Sequence, residues 1–570
     1  MNTEKNRKRK NVGGKKPADK LKVMLLGGAE EVGINATLIE QGNDIVVIDM
    51  GFGFPGSEMY GVDYLIPNVD YLKKNKSKIR GIVITHGHLD HIGAIPYVIE
   101  DLGFPTIYSS EFTIELIRMK LEEFDLLKKV KLVKITTNKM LNLGKLRVSF
   151  FKVNHNIPES MGVGVHTPQG VIVHTGDYKF DDTPVNEPVA EYNKICDMGE
   201  KGVLLALCDS TNSMKKGRSV SESEVTDVLD DIIKNTKGRV IAATFSSLVT
   251  RIHQLISIGI KYNRKIAISG RSMSNSVELA RELGYIKAHK KHFIDPKKAK
   301  NLDDKQVLFI TTGSQGEDMA ALARIARCEH RDIGVKKGDT IVLSSSVIPG
   351  NAIAIQHLID DLILQGADVV HQAILDVHAG GHAYQNDQKM MLNMLKPRFF
   401  MPIEGPQSFL RAHVKTAVSV GIKEKNTIVP RNGQIYEFNG VKFIPGAKHK
   451  GDPILVSGRS MDSVGEIVLK DRDRLANNGM IVLGINLDEA GKQVEPIQIV
   501  SRGFVYVKES RQLIQKITAK VEDVIKDKAL ENRKFNEEYK EDLKMKIVKR
   551  VGKFIRNETD RDPMILPVFV

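Results

Sequence analysis

The chain of 570 residues is too long for one ordinary hydrophobic core, and its 41% hydrophobic content is ample for the roughly two to four domains that such a length implies. Three scattered cysteines, Cys196, Cys208 and Cys328, exclude a disulfide framework and a thiolate metal cluster; with no apolar run near the roughly 18 residues of a membrane span and no signal-peptide core, a cytoplasmic protein is expected. The formal net charge of +14 points to a polyanionic partner, with a solvated surface as the plain alternative.

The charge begins at once. Residues 1–22 hold nine Lys/Arg against Glu4 and Asp19, a local excess of +7 and half of the total. With Gly13 and Gly14 and no apolar period, residues 1–20 are expected to be a disordered basic arm that attracts RNA phosphates without reading sequence. The runs "KVMLLGG", "DIVVIDMG" and "GIVITHGH" then predict buried strands ending in glycine-rich turns. "RVSFFKVNH" and "GVIVHTGDYKF" predict further strands, again ending in His or Asp, so that several strand ends converge on one chemistry.

From about residue 215 the texture changes to alternating helices and strands. "SEVTDVLDDIIKN", "RVIAATFSS", "RIHQLISIGIKY", "KIAISGRSM" and "VELARELGY", continuing through "QVLFITTGSQGE" and "TIVLSSSVIPGN", predict an α/β unit with a parallel sheet. Residues 377–455 read as short strands and polar loops. The last hundred residues read as α+β, with "EIVLKDRD", "GMIVLGINLD" and "PIQIVSRGFVYV" as strands, then charged helices and a final strand "PMILPVFV".

The stretch "ITHGHLDHIGA" places His86, His88, Asp90 and His91 at a strand exit. Neutral imidazoles offer nitrogen and an ionised carboxylate offers oxygen, so one loop can direct two ligand sets toward two adjacent metals. His155 in "KVNHNIPES" is a candidate third imidazole on the first metal, and Asp177 in "HTGDYKFD" a candidate bridge between both. Alone, His155 would read as a loop histidine and Asp177 as an Asx-turn or cap. Two metals about 3.5–4 Å apart can share a hydroxide and stabilise both the attacking and the leaving oxygen of a phosphodiester.

These motifs, together with "GGAEEVGIN", "LCDSTNS", "SGRSM", "TTGSQGEDMAALARIA", "SSSVIPGN", "SRGFVY" and "RDPMILPV", resemble the metallo-β-lactamase superfamily and its β-CASP branch of nucleic-acid hydrolases along nearly the whole chain after the arm. The resemblance implies a metallo-β-lactamase αββα sandwich carrying an inserted β-CASP α/β domain and a C-terminal α+β domain. The boundaries expected are 1–20 for the arm, 21–214 and 377–455 for the two parts of the sandwich, 215–376 for the insertion, and 456–570 for a linker and an assembly domain. The RNA would enter between sandwich and insertion.

By the same resemblance, His86, His88 and His155 hold one metal, Asp90 and His91 the other, and Asp177 bridges; Asp90, Asp177 and His382 are the implied catalytic groups. Asp49 and Asp209 would orient ligand histidines from behind. Ser247, Arg271, Ser272 and the Ser344–Ser346 run resemble a pocket for the RNA's terminal phosphate. His378-Ala379-Gly380-Gly381-His382 resembles the family's substrate-binding segment, with His382 contacting the scissile phosphate and protonating the leaving oxygen. The chain departs from the pattern at Gly380, where the family has serine, and at Leu248 and Thr250, which stand at polar positions. The main departure is Glu404 in "MPIEGPQ", which takes the place of a metal-ligating histidine.

The implied activity is that of a metal-dependent ribonuclease, a 5′-to-3′ exonuclease and an endonuclease, in messenger-RNA decay and ribosomal-RNA maturation. Two divalent ions are implied, zinc by resemblance, with manganese or magnesium at a second site altered by Glu404. Homodimers or homotetramers are implied, with a paralogue or other RNA-decay proteins as further partners and no membrane. Two competing readings stand beside this one. A small-molecule hydrolase would share the first cluster but would not need the insertion. A weakly active RNA-binding paralogue, acting as a partner subunit, would account for Glu404, Gly380 and Leu248.

Overall fold

The computed structural model describes residues 20–569 apart from 57, 318, 346–350, 376, 459, 462–464, 507–508 and 530–535. Residues 1–19 of the arm expected at 1–20, and Ser346 of the expected phosphate pocket, lie outside the described residues. The chain divides into two units, one running up to Gly53 and through Ile66–Pro453, the other formed by Phe54–Leu65 and Ile454 onward.

Two sheets face each other in the first unit. The larger runs in the order Phe443–Lys448, Gln434–Phe438, Leu21–Gly27, Ala36–Gln41, Asp44–Ile48, Ile79–Val83, Ile107–Ser109, Leu132–Lys134. The smaller runs Phe399–Ile403, Val203–Asp209, Gly170–His174, Met161–Thr167, Leu146–Lys152, Leu141–Leu143. Val23, Leu25, Ile39, Val46 and Ile48 from one sheet and Val148, Phe150, Val163, Leu205 and Leu207 from the other fill a shared core. On the outer face of the smaller sheet, Phe151, Val173, Ala206 and Phe400 pack against Ile195, Met391, Leu395 and Ala417 of the helices Tyr192–Lys201, Gln385–Leu395 and Gln407–Ser419. Burial on both faces is why strands such as Asp44–Ile48 read as unbroken apolar runs rather than alternations.

After Val203–Asp209 the chain leaves this αββα sandwich, and it re-enters with Phe399–Ile403, which pairs parallel to the departing strand with Asp209 opposite Ile403. Between them lies a wholly parallel five-stranded sheet, in the order Lys265–Ser269, Val307–Thr311, Val240–Ala243, Thr340–Leu343, Asp368–His371. Its strand period is visible in the packing. Val240 and Ala242 face Leu229, Ile252 and Leu255, while Ile241 and Ala243 face Leu322, Leu358 and Leu362. The "SESE" stretch supplies a capping box, Ser221 with Glu224, that starts the helix Glu222–Asn235.

In the second unit the strands Gln498–Arg502, Met480–Ile485 and Met564–Phe569 form a mixed sheet. Ile481, Leu483 and Ile485 pack on Ile517, Val521, Leu543, Ile547 and Val551 of the helices Arg511–Ala529 and Glu537–Thr559. Two readings need correction. "EIVLKDRD" opens the helix Glu466–Asn478 rather than a strand: Ile467 is 77% exposed, and the charged residues around it suit a solvated helix. The 377–455 stretch also holds the two helices Gln385–Leu395 and Gln407–Ser419 besides its strands. No helix among the described residues is long and apolar enough to cross a membrane.

Candidate metal centre

Strand exits on the facing sheets of the sandwich bring the candidate ligands together. Asp49 follows Asp44–Ile48, His86 follows Ile79–Val83, His155 follows Leu146–Lys152, Asp177 follows Gly170–His174, Asp209 ends Val203–Asp209 and Glu404 follows Phe399–Ile403. His88 caps a single helical turn, Leu89–Ile92, that carries Asp90 and His91. This turn lies so close to Gly51 that any Cβ there would coincide with the Asp90 carbonyl, which explains the glycine in "DMG".

Three donor groups result. His86, His88, His155 and Asp177 form the first, Asp90, His91, Asp177 and Glu404 the second, and Asp177, Asp209 and His382 the third; within each, the donor atoms lie within 4.8 Å of one another. His88 Nδ1 is 3.1 Å from His86 Nε2 and 3.0 Å from His155 Nε2. Asp177 Oδ2 is central, 3.6 Å from His86, 3.3 Å from His91, 3.6 Å from His155 and 3.9 Å from His382. Its other oxygen, Oδ1, is buried without a hydrogen-bond partner.

The surroundings fix ring orientation. His155 Nδ1 donates to the Gly381 carbonyl at 2.7 Å, leaving Nε2 with a free lone pair. His91 Nδ1 lies 2.8 Å from Asp49 Oδ2, and Asp49 is itself held by the Thr85 backbone N–H and hydroxyl at 2.7 and 2.9 Å. Asp49 thus lies behind His91, a member of the second donor group. Asp209 sits 2.9 Å from Nδ1 of His382, which belongs with it to the third donor group and is also the expected substrate-contacting residue.

Electrostatics follow from burial. Desolvation pushes His88 and His155 down to about 3 and His86 well below the usual imidazole range, so all three present neutral nitrogen. His91 is raised despite its burial, by Asp177, Asp90 and Asp49. Burial, then the charges of Asp177 and Asp209, pushes the Glu404 carboxyl well above its ordinary value. Such crowding of buried carboxylates is unfavourable unless positive charge lies among them. The unpartnered Asp177 oxygen, the neutral imidazoles and the crowded acids together fit divalent metal ions.

The remaining candidates lie at the C-terminal ends of the parallel strands of the insertion. Ser247 is half-buried after Val240–Ala243, and Arg271 and Ser272 open the helix Arg271–Glu282 with exposed side chains. Ser344 is turned away from this role. Its buried hydroxyl donates to the Val377 carbonyl at 2.6 Å and accepts from Arg251 at 2.5 Å, so it belongs to the interior. Ser345 accepts from Gln315 at 2.9 Å. His378 and Ala379 are buried, Gly380 faces Asn212, and Gly381 leaves no room for a Cβ beside the His155 ring. Burial, then Arg251, pulls His378 down to about 3.

Sequence reasoning passed over Asn35, whose carboxamide nitrogen lies 3.2 Å from both His91 Nε2 and Glu404 Oε1. It lies in the quoted motif "GGAEEVGIN", but a lone asparagine carries no spacing signal. Arg251, Glu222 and Lys179, a buried ion network behind His378, were also missed.

Three family descriptions match the chain: "Metallo-beta-lactamase superfamily" over residues 29–195, "Ribonuclease J, beta-CASP domain" over 237–362 and "Ribonuclease J C-terminal domain" over 467–570. Ribonuclease J 1 of Streptococcus pyogenes is 38% identical over 96% of this chain and 97% of its own length. Ribonuclease J2 of Bacillus subtilis is 36% identical over 98% and 99%. A solved structure of a protein of unknown function from Enterococcus faecalis shares the fold, with a TM-score of 0.55 and 15% identity, over 74% of this chain and all of that one. Fold and donor groups define a metal-dependent hydrolase of the metallo-β-lactamase and β-CASP type. The chain belongs to the ribonuclease J family.

Proposed function

We propose that this metal-dependent ribonuclease removes nucleotides from the 5′ end of RNA and also cleaves internally, in messenger-RNA decay and ribosomal-RNA maturation in the cytoplasm. The observation that carries the reading is the convergence of His86, His88, Asp90, His91, His155, Asp177 and Glu404 on Asp177 Oδ2 and its surroundings. Three imidazole nitrogens and one carboxylate suit zinc at the first site, whereas a single imidazole and three carboxylates shift the second toward manganese or magnesium. When bound, such a pair supplies a nucleophilic water ionised near neutral pH and neutralises charge on the phosphodiester.

The chain's own residues do the rest. Asp177 bridges the two donor groups, and Asp49 and the Gly381 carbonyl hold His91 and His155 in register. Burial disfavours charge on His382, but Asp209, then Asp177, raise it to about 9, so it holds the proton to be given to the leaving 3′ oxygen. Arg271 and Ser272 at a helix N-terminus, with Ser247, receive the 5′-phosphate. Assembly into homodimers or homotetramers, alone or with a paralogue, belongs to the same reading. The place of Glu404 among Asp90, His91 and Asp177 favours an active enzyme over an inert partner subunit.

The test uses 5′-monophosphate and 5′-triphosphate RNAs labelled at either end, with zinc, manganese and magnesium varied. Mononucleotides released from the 5′ end establish exonuclease action. Binding without turnover in every metal overturns the reading.

A further inference from the structure

Residues 287–300 form a surface that the candidate centre does not use. They carry six lysines, Lys287, Lys290, Lys291, Lys297, Lys298 and Lys300, against one acid, Asp295. All six are exposed. One carboxylate cannot balance six ammonium groups, and its Oδ1 accepts the Lys297 backbone N–H at 2.8 Å, closing a turn. Other lysines of the insertion behave otherwise: Lys261 pairs with Asp230 at 2.7 Å and Lys336 with Asp304 at 2.6 Å. No such ion pair is formed by the six among the described residues.

The surface is built into the fold rather than hung from it. Its two 3₁₀ turns, Lys290–His292 and Lys298–Asn301, are held from beneath. Phe293 bridges to Ile266, the Ile294 N–H donates to the Ile266 carbonyl at 2.9 Å, and the Arg281 guanidinium lies 4.8 Å from the Phe293 ring centre. Lys265 Nζ donates to the Lys291 carbonyl at 3.0 Å, and His289 Nδ1 accepts the Lys291 N–H at 3.1 Å. Ile286 and Ala299 are buried. Like charges are therefore kept side by side at an electrostatic cost. The His292 imidazole registers it, pulled below its ordinary value by desolvation and by Lys291 and Lys265.

Its position separates it from the cleft. Lys265, in contact with the Lys291 carbonyl, starts the edge strand that ends at Ser269, two residues before Arg271. A strand rises about 3.3 Å per residue, so roughly 13 Å divides the lysine turns from the end of the strand that leads into the 5′-phosphate pocket.

We infer that the lysine surface at 287–300 docks the phosphodiester backbone of RNA beyond the catalytic cleft, holding the body of a long substrate independently of sequence. The inference rests on the ribonuclease reading. Lysines act as point charges, so they contribute affinity and salt dependence rather than base discrimination. A short RNA with its 5′ end at Arg271 and its first phosphodiester at the metal groups has its few nucleotides committed to that path, and only a longer chain has phosphates left over for the lysines.

The test is the variant K290E/K291E/K297E/K298E in the full chain, compared with the parent on 5′-monophosphorylated RNAs of about 5 and about 40 nucleotides across a salt series. All four side chains are exposed, and unchanged thermal unfolding and unchanged turnover of the short RNA check the fold. The expected result on the long RNA is a KM raised roughly tenfold or more, with the slope of log KM against log salt reduced by about 2–3. An unchanged KM and slope on the long RNA overturns the inference, including the case in which the variant instead loses an acidic protein partner or binding to anionic vesicles. If the parent turns over neither RNA, the ribonuclease reading fails separately, and fluorescence anisotropy of the long RNA still decides: weakened binding by the variant supports the surface, and equal binding overturns it.

Discussion

Asn35 donates its carboxamide N–H to Glu404 Oε1 across 3.2 Å, tying Glu404 within the candidate donor group of Asp90, His91 and Asp177. The same nitrogen is 3.2 Å from His91 Nε2, so Asn35 holds a place between two candidate ligands. Glu404 is buried, in a left-handed backbone conformation at φ 59°, with its N–H bonded to the Gly28 carbonyl at 2.6 Å. Its backbone and carboxyl are thus both fixed. Glu404→Ala should lower manganese-supported cleavage at least tenfold, about 1.4 kcal/mol of transition-state stabilisation. Glu404→His should retain activity with an altered metal preference. A manganese titration of cleavage by the three proteins checks this; an alanine variant that matches the parent throughout would remove Glu404 from the metal site.

His88→Ala and Asp177→Asn should abolish cleavage while leaving most RNA affinity, because each removes a donor that would hold the metal while the basic surface remains. Full turnover by either purified variant would contradict the metal mechanism.

Arg271→Ala should slow removal of nucleotides from 5′-monophosphorylated RNA more than it slows internal cleavage, since only the first anchors a terminal phosphate. Parallel assays on end-labelled linear and circular RNA measure the two. Equal slowing would make Arg271 a general backbone contact.

The sandwich, the insertion and the first donor group were legible because their signals are local. Strand exits in "THGHLDH" and "HTGDY" place ligand types at fixed spacing, and the doubly buried strands declare themselves as apolar runs. What escaped depends on residues far apart in the chain. Asn35 meets Glu404 across 369 positions, and Arg251 meets Val377 across 126. Ser344 looked like a phosphate ligand because the "SSS" run gives no sign that a buried guanidinium claims its first hydroxyl. The helix at Glu466–Asn478 is not legible as one because its three adjacent apolar residues satisfy either period.

Acid stability offers a test away from the metal groups. His413 is buried against the Phe400 ring at 4.8 Å, with Nδ1 3.0 Å from the Ser210 hydroxyl and Nε2 unpartnered. Burial pulls it from 6.5 to about 3, so between those values the unfolded chain binds a proton that the native state refuses. Stability should therefore fall as pH falls through that window, by about 1.4 kcal/mol per pH unit from this group. His413→Phe should flatten the dependence of the urea midpoint on pH between 6.5 and 4.5. An unaltered slope would assign the acid sensitivity elsewhere.

A buried ion network lies behind the segment His378–His382. Arg251, fully buried, donates to Glu222 Oε2 at 2.7 Å, to Gln254 at 2.5 Å and to the Val377 carbonyl at 2.7 Å; Lys179, two residues beyond Asp177, lies 3.3 Å from Glu222 Oε1. Glu222 is therefore clamped between a helix of the insertion and the strand exit that supplies Asp177, while Arg251 fixes where the segment leading to His382 begins. Although burial opposes it, Arg251 and then Lys179 hold the Glu222 carboxyl down at about 2. Its contribution is complete above about 4.5, the ordinary value, and disappears only as pH falls through about 2. At neutral pH, Arg251→Met leaves a buried carboxylate short of a partner and should destabilise the unit by about 3–5 kcal/mol. Arg251→Lys restores the charge but not the fork that reaches Val377, so it should recover stability while kcat stays depressed and KM for short RNA changes little. Urea unfolding and steady-state kinetics on the same preparations separate the two effects. A lysine variant with parental kcat would leave Arg251 a purely structural residue.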